Sequence, residues 1–190
     1  MNRITNWSLN FEDQIARRMW PQETRGGFYL DVLQLADEAA VAGDQPHSIA
    51  AILLYQQLVE EMLHLIDYWC YFELAIGVHP TIYTYRSPER IMFGQLVEKI
   101  RHNQDFPGKT LLLQNAQKLN SDCRIPAAHK LLHRGTLPQM EIIGLECKEL
   151  FRHILESYED VRSHFYARFD ILAEKSSIPP YQEPPESSNP

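Results

Sequence analysis

Between the breaker Gly43-Asp44-Gln45-Pro46 and the pair Gly77 and Pro80, the chain runs from His47 to Ile76 without a glycine or a proline. Apolar residues recur through this stretch at three- and four-residue spacing, so its regular solution is one long helix. Most of its positions are apolar on more than one face, and such a helix needs neighbours all round. Few other segments alternate strictly between apolar and polar residues, the pattern of a half-buried strand. The neighbours must therefore be helices too, and the fold class is all-α.

The punctuation supplies those helices. Ser8 to Met19 reads as a short helix ended by Trp20-Pro21, and Phe28 to Ala42 follows the breaker Gly26-Gly27. Thr81 to Arg86 is β-prone, but a lone run cannot make a sheet and reads as an extended connection. Ser87-Pro88-Glu89 has serine at the cap, proline at the first position and an acid in the first turn, which predicts a helix from there to about His102. Asp105-Phe106-Pro107-Gly108 breaks it. Another helix spans about Lys109 to Asp122, a short one follows Pro126, and Leu137-Pro138 opens a last long helix to about Glu174. From Ser176 to Pro190 the chain has five prolines and almost no apolar side chains, so it is expected to be a disordered tail. The expected organisation is a single helical bundle over residues 1–175 and a tail over 176–190.

At 190 residues such a bundle can bury a substantial core, and 44% apolar with 23% charged residues is ordinary for a soluble globular protein. The formal net charge of −7 argues against a protein that coats nucleic acid, while leaving room for a local basic patch that binds RNA. Cys70, Cys123 and Cys147 are widely spaced and form neither a disulfide framework nor a zinc pattern. Residues 1–10 lack the apolar core of a signal peptide. Glu60, Glu61, His64, Asp67 and Glu73 interrupt the central helix, which argues against a simple membrane span. Together these features predict a cytoplasmic protein with no membrane partner.

Titratable chemistry concentrates between Leu119 and Gly135, in the run Leu-Asn-Ser-Asp-Cys-Arg-Ile-Pro-Ala-Ala-His-Lys-Leu-Leu-His-Arg-Gly. On a helix His129 and His133 share a face, with Arg134 beside them. A histidine can act as general base towards a ribose 2′-hydroxyl, and an arginine can hold the phosphate and stabilise its developing charge. The segment holds one literal Arg-x4-His, Arg124 to His129. A second frame, Ala128 to His133, lacks the arginine. Pro126 lies inside the first frame and disfavours helical geometry in the residue before it, which works against a shared face for Arg124 and His129.

This segment resembles HEPN domains, small helical bundles of bacterial toxins and defence systems. Their motif is Leu-Asn-x-x-Arg-Asn-x-Leu-x-His-x-Gly before a long final helix. Leu119-Asn120 and Ala128-His129-Lys130-Leu131-Leu132-His133-Arg134-Gly135 carry the resemblance, and Phe93-Gly94-Gln95-Leu96-Val97 and Phe106-Pro107-Gly108 are similar to the family's run-up. It extends over Phe28 to about Ala173. Active members are metal-independent ribonucleases that dimerise and bring two Arg-x4-6-His motifs together. On that resemblance His133 matches the family histidine, His129 stands at the polar residue after the arginine, and Ala128 replaces the arginine. Arg124 and Arg134 are the alternative phosphate-holding groups. The resemblance implies a homodimer, RNA or an antitoxin-like protein as partner, and no cofactor or metal. The missing arginine and the acidic charge favour a catalytically degenerate interaction or dimerisation module. The histidine pair and Arg134 keep an active ribonuclease using Arg124/His129 or His133 as the alternative.

Three other constellations have plainer readings. Glu61-x-x-His64 has the spacing of dimetal bundles, but no second copy exists, and Glu149 to His153 is spaced differently. Tyr68-Trp69-Tyr71-Phe72 reads as core packing or as apolar area for a dimer interface. His153, Arg162, His164 and Arg168 interleave with Glu156, Glu159 and Asp160 on the last helix, which reads as a solvated, salt-bridged face.

Overall fold

The structure, a computed structural model, describes residues 11–22, 26–79, 91–130, 139–176 and 178–180. Among the described residues there are six α-helices: α1 (Phe11–Ala16), α2 (Gly26–Ala42), α3 (Gln45–Gly77), α4 (Phe93–His102), α5 (Lys109–Lys118) and α6 (Gln139–Lys175). Two π-helical runs, π1 (Leu119–Arg124) and π2 (Pro126–Lys130), continue α5. No strand occurs among the described residues. The all-α expectation holds.

The axis is α3. Asp44 caps it by accepting the His47 N–H at 3.0 Å, with proline in the first turn, so the helix starts inside the stretch that the sequence reads as a loop. Every residue from Met62 to Cys70 is buried, so this half of the helix is enclosed on all sides. By length and composition α3 could cross a bilayer, yet 61% of its most apolar window is buried inside the bundle. Along its length lies α6, whose buried residues Met140, Gly144, Cys147, Phe151, Ile154, Tyr158, Val161, Phe165 and Phe169 recur every three or four residues. Gly144 permits a close approach: a Cβ there would lie 3.1 Å from the Ser48 Cβ.

Aromatic rings fill the seam between α3 and α6. Tyr55 stacks on Phe151 with centroids 4.7 Å apart, Trp69 on Tyr158 at 5.4 Å, and Phe72 meets Phe169 edge-on at 5.1 Å. The Trp69 indole N–H donates to the Pro21 carbonyl at 2.8 Å, and the Tyr166 hydroxyl donates to the same oxygen at 3.0 Å. Tyr68, Trp69 and Phe72 are thus interior residues of one chain. The expectation that this cluster supplies dimer area is corrected for those three, because α1 and α6 already cover it; only Tyr71 is partly exposed.

Several boundaries differ from the sequence reading: α1 ends at Ala16 rather than Met19, the expected breaker Gly26-Gly27 opens α2, and Gln45-Pro46 of the expected loop already belongs to α3. Met92 is extended (φ −73°, ψ 148°) and α4 begins at Phe93, so the cap chemistry of Ser87-Pro88 does not start this helix. Instead the Gln95 side chain accepts the Met92 N–H at 3.1 Å. Burial of Phe93, Leu96, Val97 and Ile100 against α3 sets the start. At the other end, the Ser176 hydroxyl donates to the Ala173 carbonyl at 2.8 Å and Ile178 packs on the core, so the bundle extends a few residues past 175. The β-prone run 81–86 and residues 181–190 of the expected tail lie outside the described residues.

Candidate functional site

A buried polar belt fixes the approach to the candidate segment. The Asp67 carboxylate, 1% exposed, receives the Lys99 ammonium at 2.5 Å and the Asn103 amide at 3.2 Å, tying α3 to α4. Glu73 accepts from Gln104 at 2.5 Å and pairs with Arg168 of α6 at 2.6 Å. The Lys109 ammonium donates to the carbonyls of Asn103 and Gln104 at 2.8 and 3.2 Å and sits 5.7 Å from the Phe106 ring centroid. Gly108, at φ +77°, makes the turn into α5. Each carboxylate in the belt has a counter-ion, so it reads as scaffold. Its effect is to hold the start of α5, and with it the direction of π1.

From Lys109 to Lys130 the chain is one continuous helical path. Ile125, the residue before the proline, keeps right-handed helical angles (φ −61°, ψ −45°), and its N–H donates to the Asn120 carbonyl five residues back. This overturns the expectation that Pro126 breaks the path. In an α-helix the proline ring would clash with the Asp122 carbonyl four residues earlier and leave that acceptor unfilled. Winding with i→i+5 bonds relieves the clash with the Asp122 carbonyl, and the acceptor that proline leaves unfilled becomes that of Ser121, one residue earlier.

That winding has a consequence for the Arg-x4-His spacing. Residues five apart on an α-helix diverge by about 140° around the axis. On a π-helix, whose wider turn holds more than four residues, they diverge far less. Positions 124 and 129 are five apart, so the two runs bring them towards one face. Nothing here depends on the orientation of the His129 side chain, which lies outside the described residues, as do His133 and Arg134. The expected His129–His133 face therefore falls outside them too.

Arg124 itself is half-buried. Arg18, Arg101, Arg152, Arg162 and Arg168 each pair with a carboxylate. Among the described residues Arg124 has no such partner. Four residues before it, the Asn120 side-chain oxygen is buried with no hydrogen-bond partner among the described residues. Cys123 of π1 is fully buried and lies beside Cys147 of α6. The Cys147 thiol donates to Cys123, which lowers the Cys123 pKa despite burial and pushes that of Cys147 up. Cys70, by contrast, is pushed up to about 12, mainly by burial, with the nearby Asp67 charge adding to it. Only the tertiary packing brings Cys123 and Cys147 together; no spacing in the sequence signals it.

The remaining sequence candidates keep plain roles. His64 is buried and Glu61 half-buried on α3, and no group of three His, Cys, Asp or Glu side chains fit to hold a metal occurs among the described residues. On α6, Arg152 pairs with Glu149 and Glu156, His153 lies 3.5 Å from Glu156, and Arg162 pairs with Glu159. The salt-bridged face read from the sequence is there. Arg168 is the exception, since it crosses to Glu73 on α3. No protein-family model, no curated protein and no solved structure matches the chain.

Proposed function

We propose that this chain is an HEPN-like, RNA-directed cytoplasmic protein of a bacterial toxin–antitoxin or defence system, with its site at Arg124 and His129. The observation that supports the proposal is the π-wound path through Pro126, along which Arg124, without a carboxylate partner among the described residues, precedes position 129 by little more than one turn. In this reading Arg124 binds the scissile phosphate and His129 takes the proton from the ribose 2′-hydroxyl. The 2′-oxygen then attacks phosphorus and the 5′-oxygen leaves, a transfer that needs no metal ion. A homodimer would place two such sites together.

A second reading is a silent dimerisation or partner-binding module of the same class. The net charge of −7 favours it, as does Ala128 where the His133 frame needs an arginine. Incubating the purified chain with mixed RNA in the presence of chelator separates the two. The proposal expects cleavage that Arg124→Ala and His129→Ala each reduce by 100-fold or more, roughly what loss of a charge-stabilising group or a general base costs. Cleavage that survives both substitutions but is lost in His133→Ala moves the site to the second frame. No cleavage at any RNA concentration leaves the module reading.

A further inference from the structure

We propose that the channel between α2 and α6 is a docking site for a basic amphipathic helix of a partner protein. Both helices pack on α3, and the Lys148 ammonium reaches the Asp37 carboxylate across the gap between them at 3.0 Å. That ion pair fixes which faces look at each other, because residues three and four apart share a helix face. On α2 the stripe through Asp37 holds Leu30, Gln34 and Val41. On α6 the stripe through Lys148 holds Glu141, Leu145 and Arg152. The short turn at Gly43 and Asp44 makes α2 antiparallel to α3, whereas α6 runs parallel to it, with Tyr55 on Phe151 and Phe72 on Phe169. Four residues on from Asp37 therefore lies level with three residues back from Lys148, and Val41 and Leu145 stand on the same side of the ion pair, roughly one turn from it.

These apolar side chains are left uncovered. Val41 is 79% exposed, Leu30 63% and Leu145 60%, with Ile142 at 61% on the adjoining stripe of α6. Meanwhile the inner face of α2 is already satisfied by burial of Ala36, Ala39 and Ala40. A helix that is apolar outside as well as inside is ordinarily enclosed. Charge selects what encloses this one. Asp31 and Glu38 of α2 and Glu141 of α6 are exposed, with no cation partner among the described residues, and α2 carries neither lysine nor arginine. The two cations on the α6 stripe are spent within the chain, Lys148 on Asp37 and Arg152 on Glu149 and Glu156. An apolar channel with an acidic rim fits a helix that presents apolar residues at i, i+4 and i+7 with lysines or arginines beside them. A second copy docking by two-fold symmetry would set the same acids against each other. The channel does not involve Arg124 or His129, so the inference stands apart from the RNA reading.

The full-length chain would be titrated at low ionic strength into a fluorescein-labelled amphipathic helical peptide of leucine and lysine, and into its leucine–glutamate counterpart, with binding read by anisotropy. The expected result is saturable binding of the leucine–lysine peptide alone. Val41→Gln and Leu145→Gln should each weaken it roughly 10-fold or more, since each removes an apolar side chain from the contact. Leu111→Gln, at a similarly exposed leucine of α5, should leave it unchanged. Glu38→Lys combined with Glu141→Lys should reverse the preference, so that the leucine–glutamate peptide binds. All the substituted side chains are exposed, and every variant should melt within about 2 °C of the parent. Equal binding of both peptides, no binding, an affinity unmoved by the α2 and α6 substitutions, or a charge-reversed chain that keeps the original preference would each overturn the proposal. So would light scattering that gives a dimer which Val41→Gln returns to monomer, because the occupant would then be a second copy. Cleavage of RNA without peptide binding removes the docking site and leaves the ribonuclease reading; peptide binding without cleavage does the reverse.

Discussion

Removing the lysine of the Asp67–Lys99 pair should cost more than neutralising the aspartate, although both changes delete the same ion pair. The reason is the difference in exposure: the Asp67 side chain is 1% exposed and the Lys99 side chain 38%. In Lys99→Met the carboxylate stays buried without its cation. It keeps the Asn103 amide at 3.2 Å, but a neutral donor does not replace a full charge. Breaking a buried pair this way costs about 3–5 kcal/mol, and the partial exposure of the lysine end puts this case near 3 kcal/mol. In Asp67→Asn the ammonium can turn to water, and the amide keeps part of the polar contact, so the cost falls to about 1–2 kcal/mol. The double variant, with no orphaned charge, should be more stable than Lys99→Met alone. For a chain of this size 1 kcal/mol moves the melting temperature by about 2–4 °C, so the three variants are separable by urea or thermal unfolding. Lys99→Met milder than Asp67→Asn, or a double variant worse than Lys99→Met, would refute the burial argument.

Two further predictions follow from neighbouring geometry. Burial raises the Asp37 pKa, but the Tyr55 hydroxyl at 2.7 Å and the Lys148 ammonium at 3.0 Å outweigh it and leave the value below 3.8. A lowered carboxyl pKa adds stability that is present above the unfolded value and is lost as pH falls through the folded one. Asp37→Asn should therefore lower the melting temperature near neutrality and converge with the parent chain in strong acid; a constant difference at all pH values would exclude the linkage. Pro126→Ala restores an N–H and removes the ring that opposes α-helical winding. It should leave helix content and melting temperature unreduced while cleavage falls about 100-fold, as positions 124 and 129 diverge. Unchanged cleavage would show that the π winding does not matter to the site.

The sequence by itself determined the helical class and the long α3 and α6. These follow from local rules: apolar spacing and breakers. The candidate segment was legible for the same reason, since Arg124, His129, His133 and Arg134 are close in the chain. The start of α4 was not, because Ser87-Pro88 is a good local cap and the burial of Phe93, Leu96 and Val97 against α3 decided otherwise. The path through Pro126 was read as a break because proline opposes an α-helix, but it also permits wider winding when the flanks are packed. Leu119, Cys123 and Ala127 are all buried, and anchoring those positions keeps the chain coiled across the proline. Tertiary structure alone decided that Asp67 faces Lys99, that Pro21 receives Trp69 and Tyr166, and that Cys123 meets Cys147. Each joins residues far apart in sequence. The free energy that holds such partners together comes from burying the helices that carry them, and no local pattern encodes which faces will meet.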